Sequence, residues 1–268
     1  MTAHLALVLG GGDIGSAVAH ALFSRGACVV VCELPQSAHA RRGMSFTDAL
    51  FKGRTVLEQV EGHLVSEFAD VRRCWADRTA IPITTLGEED LLHREHFNVL
   101  IEATLRRNRV PPDLRGRADL FIGLGPGYRP GTNCDIAIET QWGPALGEVL
   151  QDRETAPRSG GPAVLGGLRA ERFVEAPAAG RWRTDAAIGQ PVEAGEAVGR
   201  VDEHLLCAPV RGHLRGLTHD GVVVRAGQRI VEVDPRVPPQ LFGLGERPLA
   251  IARGVTAVLE FHLPASVT

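Results

Sequence analysis

Gly10, Gly11, Gly12, Asp13, Ile14 and Gly15 form a loop whose spacing can bring main-chain amides against a phosphate. In the pattern Gly10-x-Gly12-x-x-Gly15 the first glycine makes a tight turn and the second lets backbone N–H groups approach a pyrophosphate. The third allows a helix to pack closely on a strand. Glu33 stands 18 residues beyond Gly15, where a dinucleotide's ribose hydroxyl would find an acceptor. An acid there favours an unphosphorylated ribose over a 2′-phosphate, although Arg41 and Arg42 follow soon after. Asp13, at the mouth of the loop, would repel a phosphate unless it turns away or caps the helix. A second glycine turn carries Gly125 and Gly127 after the apolar run Leu120–Leu124, on the edge where open α/β sheets bind ligands. Pro126 removes one donor from that turn, which favours a shape-setting role over a phosphate cradle. The plainer reading of the first loop is a glycine turn whose domain has lost its ligand.

These residues need elements to hold them. Short β-branched runs at Leu5–Leu9, Cys28–Cys32, 81–84, 99–103 and Leu120–Leu124 alternate with helical patterns such as 14–23, which argues for a mostly parallel α/β sheet. The helical period fails between 41 and 65, and 55–65 reads as a pair of strands or a hairpin. Residues 155–167 (TAPRSGGPAVLGG) are dense in Gly, Pro and Ser and mark a linker or loop. Past residue 174 the texture changes to short segments punctuated by glycine, as small twisted strands require. The expected organisation is a nucleotide-binding domain at 1–155, a linker at 156–172, a β domain at 173–235 and a C-terminal extension at 236–268.

The β region is duplicated. Segments 176–202 (APAAGRWRTDAAIGQPVEAGEAVGRVD) and 208–234 (APVRGHLRGLTHDGVVVRAGQRIVEVD) align without a gap, matching Ala-Pro, Gly180 with Gly212, Gly189 with Gly221 and Gly195 with Gly227. Each unit is a handful of strands unable to cover its own apolar face, so the halves must pack together about a quasi-two-fold axis. The spacing resembles the biotinyl/lipoyl or barrel-sandwich-hybrid domain family. Carrier members of that family hold a lysine on the turn between the halves, here expected at 203–207. Lys52 is the chain's one lysine, the other 28 basic residues being arginine, so no covalent biotin or lipoate is expected. A structural or docking module is the simplest role.

Other groups carry less. Arg106, Arg107 and Arg109, with Arg115 and Arg117, could grip phosphate or carboxylate, but a solvated loop explains them as well. His93 and His96 could share a helix face, yet have no third metal ligand near in sequence. Cys28 and Cys32 read as small core residues. No G-x-S-x-G, H-E-x-x-H or Walker A pattern is present, and no catalytic nucleophile or base can be named. The five cysteines are odd in number and lack a C-x-x-C pair, which fits a reducing compartment and a cytoplasmic location. A formal charge of −3 supplies no footprint for nucleic acid. No apolar stretch is long enough for a membrane span.

Taken together, 10–22 (GGGDIGSAVAHAL), 33–36 (ELPQ), Arg41-Arg42 with Ser45-Phe46, 123–127 (GLGPG), Glu139-Thr140 and the repeated Ala-Pro-x-x-Gly resemble the selenium-dependent molybdenum hydroxylase system proteins, the YqeB-like family. The resemblance implies a Rossmann-like domain similar to that of XdhC-type accessory proteins, and a role in maturing molybdenum hydroxylases of the xanthine dehydrogenase type. Members of that family carry Asp and His before the Glu-Thr pair, and Arg and His after it. Asn133, Asp135, Trp142 and Pro144 stand there in this chain, so any metal or acid–base role is not carried over.

The expected fold is therefore α/β, with a Rossmann-like N-terminal domain followed by a small all-β barrel-sandwich-hybrid domain. The expected function is an accessory protein whose partner is a molybdenum hydroxylase client enzyme. Its ligand would be NAD or another dinucleotide, including the dinucleotide tail of a molybdopterin cofactor. A homo-oligomer is compatible with the sequence. The rivals are an NAD-dependent oxidoreductase, which needs a catalytic side chain near the nicotinamide although Tyr128 is the only tyrosine, and a binding scaffold with a vacant fold.

Overall fold

Strand β1 (Leu5–Leu9) is apolar at every position because both of its faces are covered. The computed structural model describes residues 4–105, 110–157 and 161–262. After β1 come α1 (Asp13–Ser24), β2 (Cys28–Cys32), α2 (Ala49–Lys52), β3 (Arg54–Leu57), β4 (Val60–Val65) and α3 (Phe68–Asp77). There follow β5 (Ala80–Thr84), α4 (Glu88–Arg94), β6 (Val99–Glu102), β7 (Leu120–Leu124), β8 (Ile136–Ile138) and β9 (Val149–Leu150). Among the described residues these strands make one nine-stranded sheet in the order β3-β4-β5-β2-β1-β6-β7-β8-β9. The centre, β4 to β8, is parallel, while β3 and β9 pair antiparallel at the two edges.

The β region holds β10 (Phe173–Glu175), β11 (Gly180–Arg183), β12 (Pro191–Val192), β13 (Ala197–Val201), β14 (His204–Cys207), β15 (Gly212–Leu217), β16 (Val223–Val224) and β17 (Arg229–Asp234). They form two four-stranded sheets, β10-β17-β15-β12 and β14-β13-β11-β16. The copies exchange strands: β11 of the first pairs with β16 of the second, and β12 with β15. The Ala-Pro segments do likewise, since the Ala176 amide donates to the Gln228 carbonyl and the Ala208 amide to the Glu196 carbonyl, both at 2.8 Å. Trp182, fully buried, fills the space between the sheets and donates its indole N–H to the Thr218 carbonyl at 2.9 Å.

A Rossmann-like domain followed by a barrel-sandwich-hybrid appendage is not what the structure shows. The large sheet is mixed, and no helix links β6 to β7 or β7 to β8 among the described residues. The alternation of helices that a doubly wound parallel sheet needs is thus broken on one side. The β region is a pair of sheets with a half-barrel character. Nor is it a tail, because the chain returns to the α/β layer as α5 (Glu246–His262). Ile251, Val255 and Val258 of α5 share one core with Ala17, Val18 and Leu22 of α1. The turn expected at 203–207 is mostly strand: β14 pairs along β13, and the chain reverses at Asp202, whose φ is +46°. The hairpin read at 55–65 is present as β3 and β4.

The two layers meet through specific bonds. The Leu217 amide donates to the Ala40 carbonyl at 2.6 Å, and the Thr218 hydroxyl to the Ala38 carbonyl at 3.3 Å. Asp48 accepts from the Gly43 amide at 2.8 Å and lies 2.9 Å from Nε2 of His219, whose ring stacks on Phe51. Burial alone would raise the Asp48 carboxyl, but the bonds from His219 and Gly43 outweigh it and hold it below the ordinary carboxylate range. A depressed native value means that this contribution is complete above the unfolded carboxyl's range and is lost as pH falls through the native value. Asp48→Asn should therefore lower the urea midpoint at pH 7, with the gap from the unaltered chain narrowing below a pH of about 4. A gap of constant size from pH 7 to pH 3 would count against this pairing.

Candidate functional site

Gly10, with φ of +95°, turns the chain at the end of β1, and its amide donates to the Cys32 carbonyl at 2.8 Å. Gly15 packs so closely that a Cβ there would lie 1.8 Å from the Gly10 carbonyl oxygen. Gly12 is the N-cap of α1 and has no side-chain cap. Asp13 is thus the first residue of the helix rather than its cap, and its Oδ1 accepts the adjoining Ile14 amide, at 3.1 Å. Ile14 is buried in the core beneath. Among the described residues the amides of Gly12, Asp13 and Gly15 have no hydrogen-bond partner, and together they form the positive end of α1.

Glu33 lies at the end of β2, as its spacing requires, but its carboxylate turns back on the loop. It accepts from the Gly11 amide at 3.2 Å, the Leu34 amide at 2.5 Å and the Ser37 hydroxyl at 3.4 Å. The His39 ring stands against Gly12, 3.3 Å from where a Cβ would be, with its Nε2 buried and unpartnered. Burial lowers the His39 pKa, against the pull of Asp13.

Around Asp13 the structure gathers arginines from three distant segments. Arg41 places one guanidinium nitrogen 3.6 Å from Asp13 Oδ2, while its Nε lies 3.0 Å from Glu232. Arg215 from β15 reaches Glu232 at 2.8 Å and the Gln240 carbonyl at 2.9 Å. Arg247 from α5 donates to the Thr140 carbonyl at 2.7 Å. Arg172 also pairs with Glu232, so one carboxylate, 2% exposed, serves three guanidinium groups. Burial opposes ionisation of Asp13, but Arg41, then His39, Arg247 and Arg215, together hold its carboxyl below the ordinary range. The result is a partly exposed cluster of arginines and carboxylates at the N-terminus of α1, whose donors suit an anion.

The second glycine turn lies on the same carboxyl edge. Gly125, with φ of +98°, meets Leu105 and Thr140, and Gly127 packs on Pro111. No structural bond ties Gly127 to the first loop among the described residues, and it serves the turn around Tyr128. Tyr128 is 1% exposed, and its hydroxyl donates to Glu102 at 3.1 Å. Glu139 is likewise structural, accepting the amides of Thr140, Gln141 and Ala156 at 2.7 Å each.

Arg106, Arg107 and Arg109 lie outside the described residues. Arg115 pairs with Asp113, and Arg117 with Glu89. His96 lies past the end of α4 and pairs with Asp119 at 2.6 Å, so it shares no helix face with His93. Cys32 is half-buried, and burial, with Glu88 and Glu33, pushes its thiol up to about 12. Sequence reasoning missed Arg172, Arg215, Glu232 and Arg247. Their one local signal is Glu232, a carboxylate set among the β-branched residues of β17.

No family model matches the chain. It is 31% identical, over 259 residues, to the uncharacterized protein YqeB of Escherichia coli strain K12. The match takes in 95% of this chain and 47% of that protein, so the chain spans about half the length of its relative. Among solved structures, the product-bound ectoine utilization protein EutE (DoeB) of Ruegeria pomeroyi overlays with a TM-score of 0.27 at 12% identity, covering 87% of this chain and 85% of that one. An aspartoacylase family protein of Mesorhizobium loti overlays with a TM-score of 0.26 at 9% identity, with the same two coverages. Overlaps this slight leave the fold to be described by its own strand order. Among the described residues no helix is long and apolar enough to cross a membrane.

Proposed function

We propose that the arginine cluster at the N-terminus of α1 binds a nucleotide or a nucleotide-bearing cofactor, and that the chain serves a molybdenum hydroxylase of the xanthine dehydrogenase type as an accessory protein. The observation that supports the binding is the meeting of unpaired α1 amides with Arg41, Arg215 and Arg247 at one place. Amides and guanidinium groups are the donors that phosphates use, and neither carries catalytic chemistry by itself. The role toward a client enzyme rests on the sequence blocks alone. A cytoplasmic location accords with five cysteines that remain free thiols.

Two features favour a scaffold as the second reading: Glu33 already occupies the Gly11 amide, and His39 stands against Gly12. An oxidoreductase is disfavoured, since the Tyr128 hydroxyl is buried against Glu102. Isothermal titration of the full chain with NAD, NADP, ATP, CTP, GTP and molybdopterin dinucleotides separates the first two. Binding of at least one at micromolar strength is expected. Heat from none of them would reject the nucleotide reading and leave the scaffold.

A further inference from the structure

Of the two carboxylates that Arg41 meets, Asp13 is the looser partner. Arg41 lies 3.0 Å from Glu232 but 3.6 Å from Asp13, and both side chains of the longer pair are about a quarter exposed, at 27% and 24%. The Asp13 carboxylate also sits on the helix end whose amides are unpaired, where an incoming anion would be held. Among the described residues Arg41 pairs with no carboxylate besides Asp13 and Glu232, and Arg172 and Arg215 hold Glu232 in place.

We propose that Asp13 is an internal stand-in for a phosphate group, and that a pyrophosphate-bearing ligand binds by displacing it from Arg41. The inference rests on the nucleotide reading above and adds the ligand's chemical class and the group it competes with. A carboxylate offers one negative charge and two oxygens. A phosphate offers more of both, and can take the Arg41 fork and the α1 amides together. Asp13 would then swing out through its exposed side while Arg41 keeps its bond to Glu232. Arg247 and Arg215, which already act on Asp13 at longer range, would act on the phosphate instead.

Asp13→Asn tests this directly. Asparagine keeps the side-chain oxygen that accepts the Ile14 amide but removes the charge that competes for Arg41. Titrated with sodium pyrophosphate, Asp13→Asn should bind at least tenfold more tightly than the unaltered chain, and adding Arg41→Gln should abolish the gain. Equal or weaker binding by Asp13→Asn would overturn the proposal. Should that variant fail to fold, the Nη–H resonances of Arg41 in the unaltered chain decide, since Nη1 is the nitrogen that faces Asp13: they must shift on adding pyrophosphate, and fixed signals overturn the proposal. Nucleotide binding without a gain in Asp13→Asn sinks this inference alone. A gain for pyrophosphate without nucleotide binding by either chain sinks the nucleotide reading alone and points to a free phosphate compound.

Discussion

Glu232→Gln should destabilise the protein by about 3–5 kcal/mol, the usual consequence of removing one partner from a buried ionic cluster. Glu232 is 2% exposed and is met by Arg41, Arg172 and Arg215, of which Arg172 is 1% exposed. Glutamine keeps the shape and one acceptor oxygen but leaves the guanidinium groups of Arg172 and Arg215 without their shared counter-charge. Burial already works against those two cations, and Glu232 is what opposes it. Arginine does not shed its proton to escape, so the cost appears as lost stability. Arg41 is partly exposed, and Arg41→Gln should cost only about 1 kcal/mol as a more screened pair. Urea unfolding at pH 7, followed by the fluorescence of buried Trp182, reads both. A loss below about 1 kcal/mol for Glu232→Gln would mean that the cluster does not join the layers as described.

The cluster also marks where sequence reading stops. The turn at Gly10, the helix from Asp13 and the strand ending near Glu33 were legible because their signals are local. Glycine spacing and hydrophobic period act over a few residues. The packing of the two copies against each other was legible in a repeat visible as aligned glycines, while the exchange of strands that achieves it was not. By contrast, Arg41 and Glu232 stand 191 positions apart, and nothing local distinguishes a buried arginine from a solvated one. The repeat itself misleads here. Arg183 and Arg215 are equivalent residues, yet Arg183 is half exposed and pairs with Asp220 while Arg215 is buried on Glu232. Only the copy that faces the α/β layer encloses its charge. The same blindness hid α5, expected only as part of a C-terminal extension, whose apolar side α1 covers. His96 was misplaced for a local reason: the helix ends at Arg94, two residues before it.

Gly15→Ala should cost about 3 kcal/mol or more and remove any anion binding with it, because overpacking against main chain has no rotamer to relax into. The new methyl would lie 1.8 Å from the Gly10 carbonyl oxygen, far inside contact distance, and 3.3 Å from the Ala103 Cβ. Neither neighbour can yield readily. The Gly10 amide is tied to Cys32 at 2.8 Å, and Gly10 itself approaches the Thr104 backbone so closely that its own Cβ would lie 3.0 Å away. Relief would require α1 to lift from β1, and with it Ala17, Val18 and Leu22 from the core they share with α5. Gly53→Ala is the informative control. Its φ of +76° disfavours alanine where the helical backbone of Gly15 does not, but a Cβ there meets open space, so the cost should stay at about 1–2 kcal/mol, the left-handed penalty alone. Comparing the two urea midpoints isolates close approach from backbone strain. Equal losses would show that α1 does not press on the loop, and the amides it presents would then lack the fixed geometry that anion binding requires.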